Sequence, residues 1–329
     1  MGQKNTNLHA AKAAKNDEFY TQLSDIEKEL KHYKDFFKGK VVYCNCDDPK
    51  ESNFFKFFSM NFEAYGLKKL ITTGYKQNGH GVVYIYEGDR NGNRMVDDSE
   101  IQVTELQGNG DFRSEECIKF LKEADVVVTN PPFSMFRIYV KQLMEFDKKF
   151  LILGNNNAIT YKEIFPYIKN NQLWLGISSN KTMYFQLSND YQKWDYVDEK
   201  GNKFGKVPAI SWFTNISNEK RNHPLDLYKH FTPEEYPKYD NYDAINVNKV
   251  CEIPMDYDGV MGVPITFLDK YCPTQFEIVC LAAGNSWVNF TNELKKLNFN
   301  PNIKYGGGLG CGIVNGKPCY ARLMIKPIS

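Results

Sequence analysis

Apolar and polar positions alternate along the chain in two rhythms. From Ser24 to Phe37 (SDIEKELKHYKDFF) the apolar residues return every three or four positions, the spacing of an amphipathic helix, and Gly39 ends it. Lys40 to Cys46 (KVVYCNC) predicts a strand, and Asp48, Pro49 and Glu51 then carry the signature of a helix start: a capping acid, a first-turn proline and an acid three residues after the cap. A second strand is expected over Lys68 to Tyr75. The segment Gly81 to Leu106 alternates around Asn91-Gly92 and reads as an inserted hairpin. Helices are expected at Ser114 to Glu123 and Phe136 to Phe146, with strands at Val126 to Val128, Lys148 to Leu153 and Val207 to Asn215. Strands alternating with helices imply an α/β fold with a doubly wound, mostly parallel sheet. From about Ile216 the rhythm is lost in a stretch rich in Tyr, Asn, Lys and Pro, so the domain boundary is placed there, giving residues 1–215 and 216–329. The last third holds short strand-like pieces, FEIVCLA and CYARLMI, separated by glycines.

One strand ends unusually. In Ala124 to Ser134 (ADVVVTNPPFS) a β-branched apolar run meets Asn130, Pro131, Pro132 and Phe133. The prolines lack backbone donors and fix φ, so the chain leaves the sheet in a stiff, extended form with carbonyls that no ladder uses. Loops at the carboxyl ends of parallel strands are where open α/β sheets hold ligands. A bare Pro-Pro pair is more often a plain turn, and the flanking amide and ring lower those odds.

Composition narrows the class without naming a function. With 329 residues, 42% hydrophobic and 25% charged, the chain has the size and composition of a soluble globular protein of two lobes. No apolar run reaches the length of a membrane span, and the polar, basic start has no apolar leader segment, so a cytoplasmic protein is expected. Gly2 and Thr6 fit a loose myristoylation pattern, which by itself gives only marginal membrane binding. Eight cysteines without a Cys-x-x-Cys spacing read as reduced thiols, and Cys44 and Cys46 have no second pair nearby to complete a zinc site, so no metal is expected. A net charge of +1 excludes a uniformly basic nucleic-acid binder but allows a local basic surface.

Two further turns look chemical. Asn45, Asp47 and Asp48 stand where the first strand turns into a helix, and no G-x-G-x-x-G fingerprint is present there. A helix start attracts a carboxylate and neighbouring acids attract an ammonium, so a zwitterionic amino-acid group such as that of S-adenosylmethionine suits this corner; the alternative is that Asp48 is only a cap. Asp111 and Phe112, in Asn109-Gly110-Asp111-Phe112, offer an acceptor for an adenine amino group and a ring to pack on it, or else form an ordinary Gly-Asp turn. Phe19, Tyr20 and Thr21 precede the first helix, where the aromatics either close over a bound cofactor or staple the helix end.

The order Phe19-Tyr20-Thr21, Asp47-Asp48-Pro49, Gly110-Asp111-Phe112 and Asn130-Pro131-Pro132-Phe133 resembles the gamma arrangement of amino-methyltransferases. With KNDEFYTQ, YCNCDDPKESNFFKFF, TNPPFSMFRIYV, YPKYDNYDAINV and DYDGVMGVPITFLDKYCPTQFEI, the chain from about residue 12 to 325 is similar to the EcoRI-type adenine-specific DNA methyltransferase family. The resemblance implies a Rossmann-like methyltransferase domain over 1–215, a C-terminal target-recognition region over 216–329, S-adenosylmethionine as methyl donor and N6 of a flipped adenine in double-stranded DNA as acceptor. It also implies a monomer, a restriction-modification setting with a cognate endonuclease, and a short palindromic target such as GAATTC. Asn130, Pro131, Pro132 and Phe133 would then be catalytic; Phe19, Tyr20, Thr21, Asn45, Asp47, Asp48, Asp111 and Phe112 would hold the cofactor. Lys220, Arg221, Asn222, His223, Lys238 and Asn241 are the candidates for DNA contact, cations for phosphates and amides for base edges. The sequence departs from the wider class in lacking a glycine-rich first motif and an acid after ITTGY. The alternatives are that the same loop serves RNA adenine or protein glutamine, or that the chain is a catalytically silent module that binds DNA or S-adenosylmethionine. Cytosine C5 chemistry is rejected because the only Pro-Cys pair, Pro318-Cys319, lacks a catalytic setting.

Overall fold

The computed structural model describes residues 20–46, 48–187, 194–303, 306 and 308–328. Two compact units divide the chain: one takes residues 1–156 and 175–216, the other 157–174 and 217–329. The boundary near 216 is joined by a second crossing that sequence periodicity did not signal, because residues 157–174 fold with the C-terminal unit. Within that unit Phe165 packs edge-on against Phe290, with ring centroids 5.2 Å apart.

The strands of the first unit are β1 (Val41–Cys44), β2 (Lys69–Gly74), β3 (Val82–Tyr86), β4 (Ile101–Glu105), β5 (Val126–Thr129), β6 (Lys149–Asn155), β7 (Trp174–Leu175, of which only Leu175 belongs to this unit), β8 (Lys181–Gln186), β9 (Tyr196–Val197) and β10 (Lys203–Thr214). They form one sheet in the order β4-β3-β2-β1-β5-β6-β10-β7, with β8 and β9 also paired to β10. The α/β class holds, and the sheet is mixed rather than mostly parallel: β2, β1, β5 and β6 run parallel, whereas β3, β4, β8, β9 and β10 pair antiparallel. Both faces of the parallel strands are covered, as their continuous apolar runs require. Val42 and Cys44 join Phe54, Phe58, Ile26 and Leu30 in one core cluster, while Tyr43 points the other way towards Phe120, at 6.4 Å between centroids.

Two local expectations change. The β3–β4 connection is not a two-residue turn at Asn91-Gly92: Tyr86 pairs with Ile101, so residues 87–100 form the loop. The buried Glu100 carboxylate holds it by accepting from the Arg90 and Asn91 backbone N–H groups at 2.7 and 3.2 Å. Nor does a helix start at Asp48. Asp48 Oδ1 accepts from Lys50 N at 2.9 Å and closes a turn, and the helix begins at Asn53, capped by Ser52, whose hydroxyl accepts from Phe54 N. Ser52 wins because the Asp48 carboxylate is already satisfied two residues on, a local bond that competes with helix propagation.

The second unit has a core of its own. Ile245–Asn246, Met261–Pro264, Arg322–Pro327 and Phe276–Ala282 form a four-stranded sheet in that order, over a cluster that includes Tyr239, Tyr242, Cys280, Leu294, Phe299 and Met324.

Candidate active site

In the parallel strands the chain runs from β1 outward to β2, then returns to place β5 and β6 on the other side of β1. The topological switch point therefore lies between β1 and β5, and the loops leaving the carboxyl ends of these strands stand where open α/β sheets hold their ligands. Those loops are Asn45 onward and Asn130-Pro131-Pro132-Phe133. They are tied together, since the Thr129 hydroxyl donates to the Asn45 backbone carbonyl.

On the β5 side Asn130 and Pro131 are buried, Pro132 and Phe133 half-buried. Pro132 is extended at φ −53°, ψ 123°, and its carbonyl accepts from Met135 N at 2.9 Å, which starts the 3-10 turn Phe133–Met135. No backbone N–H of the described residues bonds to the Pro131 carbonyl. Phe133 packs partly on the core cluster and lies near Phe185 of β8.

On the β1 side Asn45 is 3% exposed. Its side-chain oxygen accepts from the Tyr139 hydroxyl and, at 3.5 Å, from the Cys46 thiol. Cys46 sits at φ +76°, a left-handed conformation that costs a non-glycine residue roughly 1 kcal/mol or more and is concentrated at functional turns. Gly74, at the end of β2, admits the turn closely: a Cβ there would stand 2.7 Å from Pro49 Cδ.

The Asp111 turn docks on the same edge of the sheet. Gly110 has φ +81°, and a Cβ on it would lie 2.2 Å from the Gly74 carbonyl oxygen, so only glycine allows this approach. Asp111 accepts from Arg113 Nε and Nη2 at 2.9 and 2.5 Å, and this guanidinium holds its carboxyl below the ordinary carboxylate range. Phe112 is buried, its ring 4.9 Å from that of Tyr139 at 73° and its carbonyl accepting from Gln142 Nε2. Arg113 also lies 5.6 Å from the centre of the Phe112 ring.

Tyr20 pairs with Gln186 of β8 through two backbone bonds of 3.1 and 3.0 Å. The Thr21 carbonyl accepts from Asn53 Nδ2 at 2.7 Å. The Thr21 hydroxyl and that of Thr72, on β2, are buried and have no hydrogen-bond partner among the described residues. Phe19 and Asp47 lie outside the described residues.

The expected DNA contacts all fall in the second unit. Asn222, His223 and Lys238 are exposed. Lys220 is ion-paired with Asp269 at 2.5 Å. Arg221 is taken up inside the unit: it stacks on Trp174 at 3.8 Å and donates to Asn171 Oδ1, and burial lowers its pKa. Asn241 does not stand on a surface at all. It is 2% exposed, its Nδ2 donates to the Cys311 carbonyl and its Oδ1 accepts from Ile313 N, both at 2.9 Å, so this amide is committed to the fold and is not free to read a base. Sequence reasoning missed Tyr139, Arg113 and Phe185; only the Tyr139 position, one turn into the helix after the proline loop, carried a signal.

All eight cysteines are free thiols, and no helix among the described residues is long and apolar enough to cross a membrane.

The Asn-Pro-Pro-Phe loop and the Asn45 turn thus stand side by side at the switch point. Residues 7–327 match the family described as adenine-specific methyltransferase EcoRI. The chain is 48% identical to the type II methyltransferase M.EcoRI of Escherichia coli, over 99% of its own length and 98% of that protein. It is 43% identical to M.MpnI of Mycoplasma pneumoniae, over 97% of each chain, and 42% identical to M.MgeORF184P of Mycoplasma genitalium, over 97% and 98%. The chain belongs to the EcoRI family of adenine-specific methyltransferases.

Proposed function

We propose that the protein methylates N6 of one adenine in a short target sequence of double-stranded DNA, using S-adenosylmethionine. The observation that carries this reading is the junction of Asn45 and Thr129, which sets the cofactor corner directly beside the proline loop. Two buried hydroxyls without a partner among the described residues, Thr21 and Thr72, leave polar capacity that a polar ligand could use. Asn45, Asp47 and Asp48 are assigned to its amino-acid group, Asp111 to its adenine amino group, and Phe19, Tyr20, Thr21 and Phe112 to its enclosure. When bound, the cofactor supplies an activated methyl group on a sulfonium.

The chain's own task is to make a poor nucleophile react. The lone pair of N6 is delocalised into the adenine ring. The Asn130 side-chain oxygen and the Pro131 carbonyl accept the two N6 hydrogens, which holds the nitrogen in line and stabilises its developing positive charge with fixed dipoles. Pro131 suits this role because its carbonyl is not spent on the following turn, as that of Pro132 is. Phe133 stacks on the base, which must leave the duplex at a cost of about a few kcal/mol. Residues 216–329 act as the recognition region, with Asn222, His223 and Lys238 the exposed candidates for contact. In this reading the enzyme works as a monomer in the cytoplasm, beside an endonuclease that cuts the same site.

Methylation-sensitive sequencing of DNA treated with the purified protein tests the reading. Modified adenines confined to one motif are expected; methyl transfer to RNA alone, or to no nucleic acid, overturns it.

A further inference from the structure

Tyr139 is fully buried on the helix Phe136–Glu145, four residues after the end of the proline loop's 3-10 turn, and touches two motif turns at once. Its ring meets the edge of Phe112, and its hydroxyl donates to Asn45 Oδ1. Burial pushes the phenol pKa far up, so the group keeps its proton and acts as donor.

The consequence lies in the amide. Asn45 presents one oxygen that only accepts and one nitrogen that only donates, on opposite sides of the group. With Oδ1 turned to Tyr139, Nδ2 must face the other way, and among the described residues no acceptor pairs with it. We infer that Tyr139 is a positioning residue that fixes the Asn45 amide with its NH2 group towards the cofactor corner, as donor to the carboxylate of the cofactor's amino-acid group. The inference rests on the assignment of S-adenosylmethionine to that corner. Tyr139 touches neither cofactor nor base; it selects which end of Asn45 does. Without the phenol, the amide can flip and present an oxygen to a carboxylate, a repulsive contact.

Two probes separate this from a general packing role. S-adenosylhomocysteine carries the amino-acid group, and 5′-methylthioadenosine shares the adenosine and sulfur but lacks it. Tyr139→Phe keeps the ring against Phe112 and removes only the hydroxyl. Calorimetry with the full chain is expected to show S-adenosylhomocysteine binding about tenfold more weakly, the size of one charge-assisted hydrogen bond, and 5′-methylthioadenosine within about twofold of wild type. In turnover, KM for S-adenosylmethionine rises and kcat at saturation holds. Asn45→Asp, which keeps an acceptor for Tyr139 but loses the donor, shows the same selectivity and decides the matter if Tyr139→Phe fails to fold. Equal losses for both probes would place the role in Phe112 packing and overturn the inference, as would no loss for either. Wild-type protein that binds neither probe would instead remove the cofactor assignment itself.

Discussion

Phe185 of β8 stands edge-on to Phe133, their ring centroids 6.3 Å apart and their planes at 85°. Phe185 is fully buried, whereas Phe133 keeps part of its surface. The next residue, Gln186, pairs with Tyr20 through the backbone. One strand thus braces the ring after the two prolines and the segment assigned to enclose the cofactor.

That brace gives Phe133 two separable roles. If it stacks on a flipped adenine, Phe133→Ala loses roughly 1 to 3 kcal/mol of base binding, Tyr largely restores it, and a mismatch opposite the target reduces the loss because less energy is needed to extrude the base. A ring that serves only the core would instead cost about 3 to 5 kcal/mol of stability, with no mismatch rescue. Melting temperature and single-turnover rates on matched and mismatched duplexes distinguish the two.

Asn130→Ala should retain cofactor binding and lose methyl transfer, because it deletes an acceptor whose bond strengthens as charge builds on N6. Calorimetry with S-adenosylmethionine, beside a tritium-transfer assay, checks it; near-normal transfer would remove Asn130 from the mechanism.

Asp111→Ala should weaken S-adenosylmethionine binding by about 1 to 3 kcal/mol. The Arg113 pair adds a pH signature. Because Arg113 holds the folded-state pKa of Asp111 below the ordinary carboxylate value, the pair contributes stability above that ordinary value and loses it as the pH falls through the folded one. Arg113→Gln should shrink this acid limb of the melting curve. An unchanged limb would mean that solvent screens the pair completely.

Asn241→Ala should act on stability and not on sequence preference. It strands the Cys311 carbonyl and the Ile313 N–H, at about 1 to 3 kcal/mol for each buried group. Lower melting with an unaltered methylation motif is the expected result, and a relaxed motif at unchanged melting would make Asn241 a base reader after all.

The sequence by itself determined most of what is local or repetitive. The apolar runs at Val41–Cys44 and Val126–Thr129 could only be covered strands, and the prolines after Asn130 had to break the ladder where they stand. FEIVCLA is a strand over the residues expected, Phe276–Ala282. What tertiary structure decided are the matters that local pattern leaves nearly degenerate. Asp48 and Ser52 are both good caps, and the choice fell to the bonds available around the turn. The Asn91-Gly92 signal was real as a turn but not as the hairpin's end, since register follows strand pairing and the buried Glu100 carboxylate spread the loop to 87–100. Asn241 looks like any polar loop residue until the fold buries it between Cys311 and Ile313, some seventy residues away. Tyr139 is likewise one aromatic among many on a helix face; only the packing of β6 and the Asp111 turn against that helix turns its hydroxyl towards Asn45. Propensity and periodicity act over a few residues, whereas the direction of a buried donor is set by neighbours distant in sequence, and there the chain's pattern carries no information.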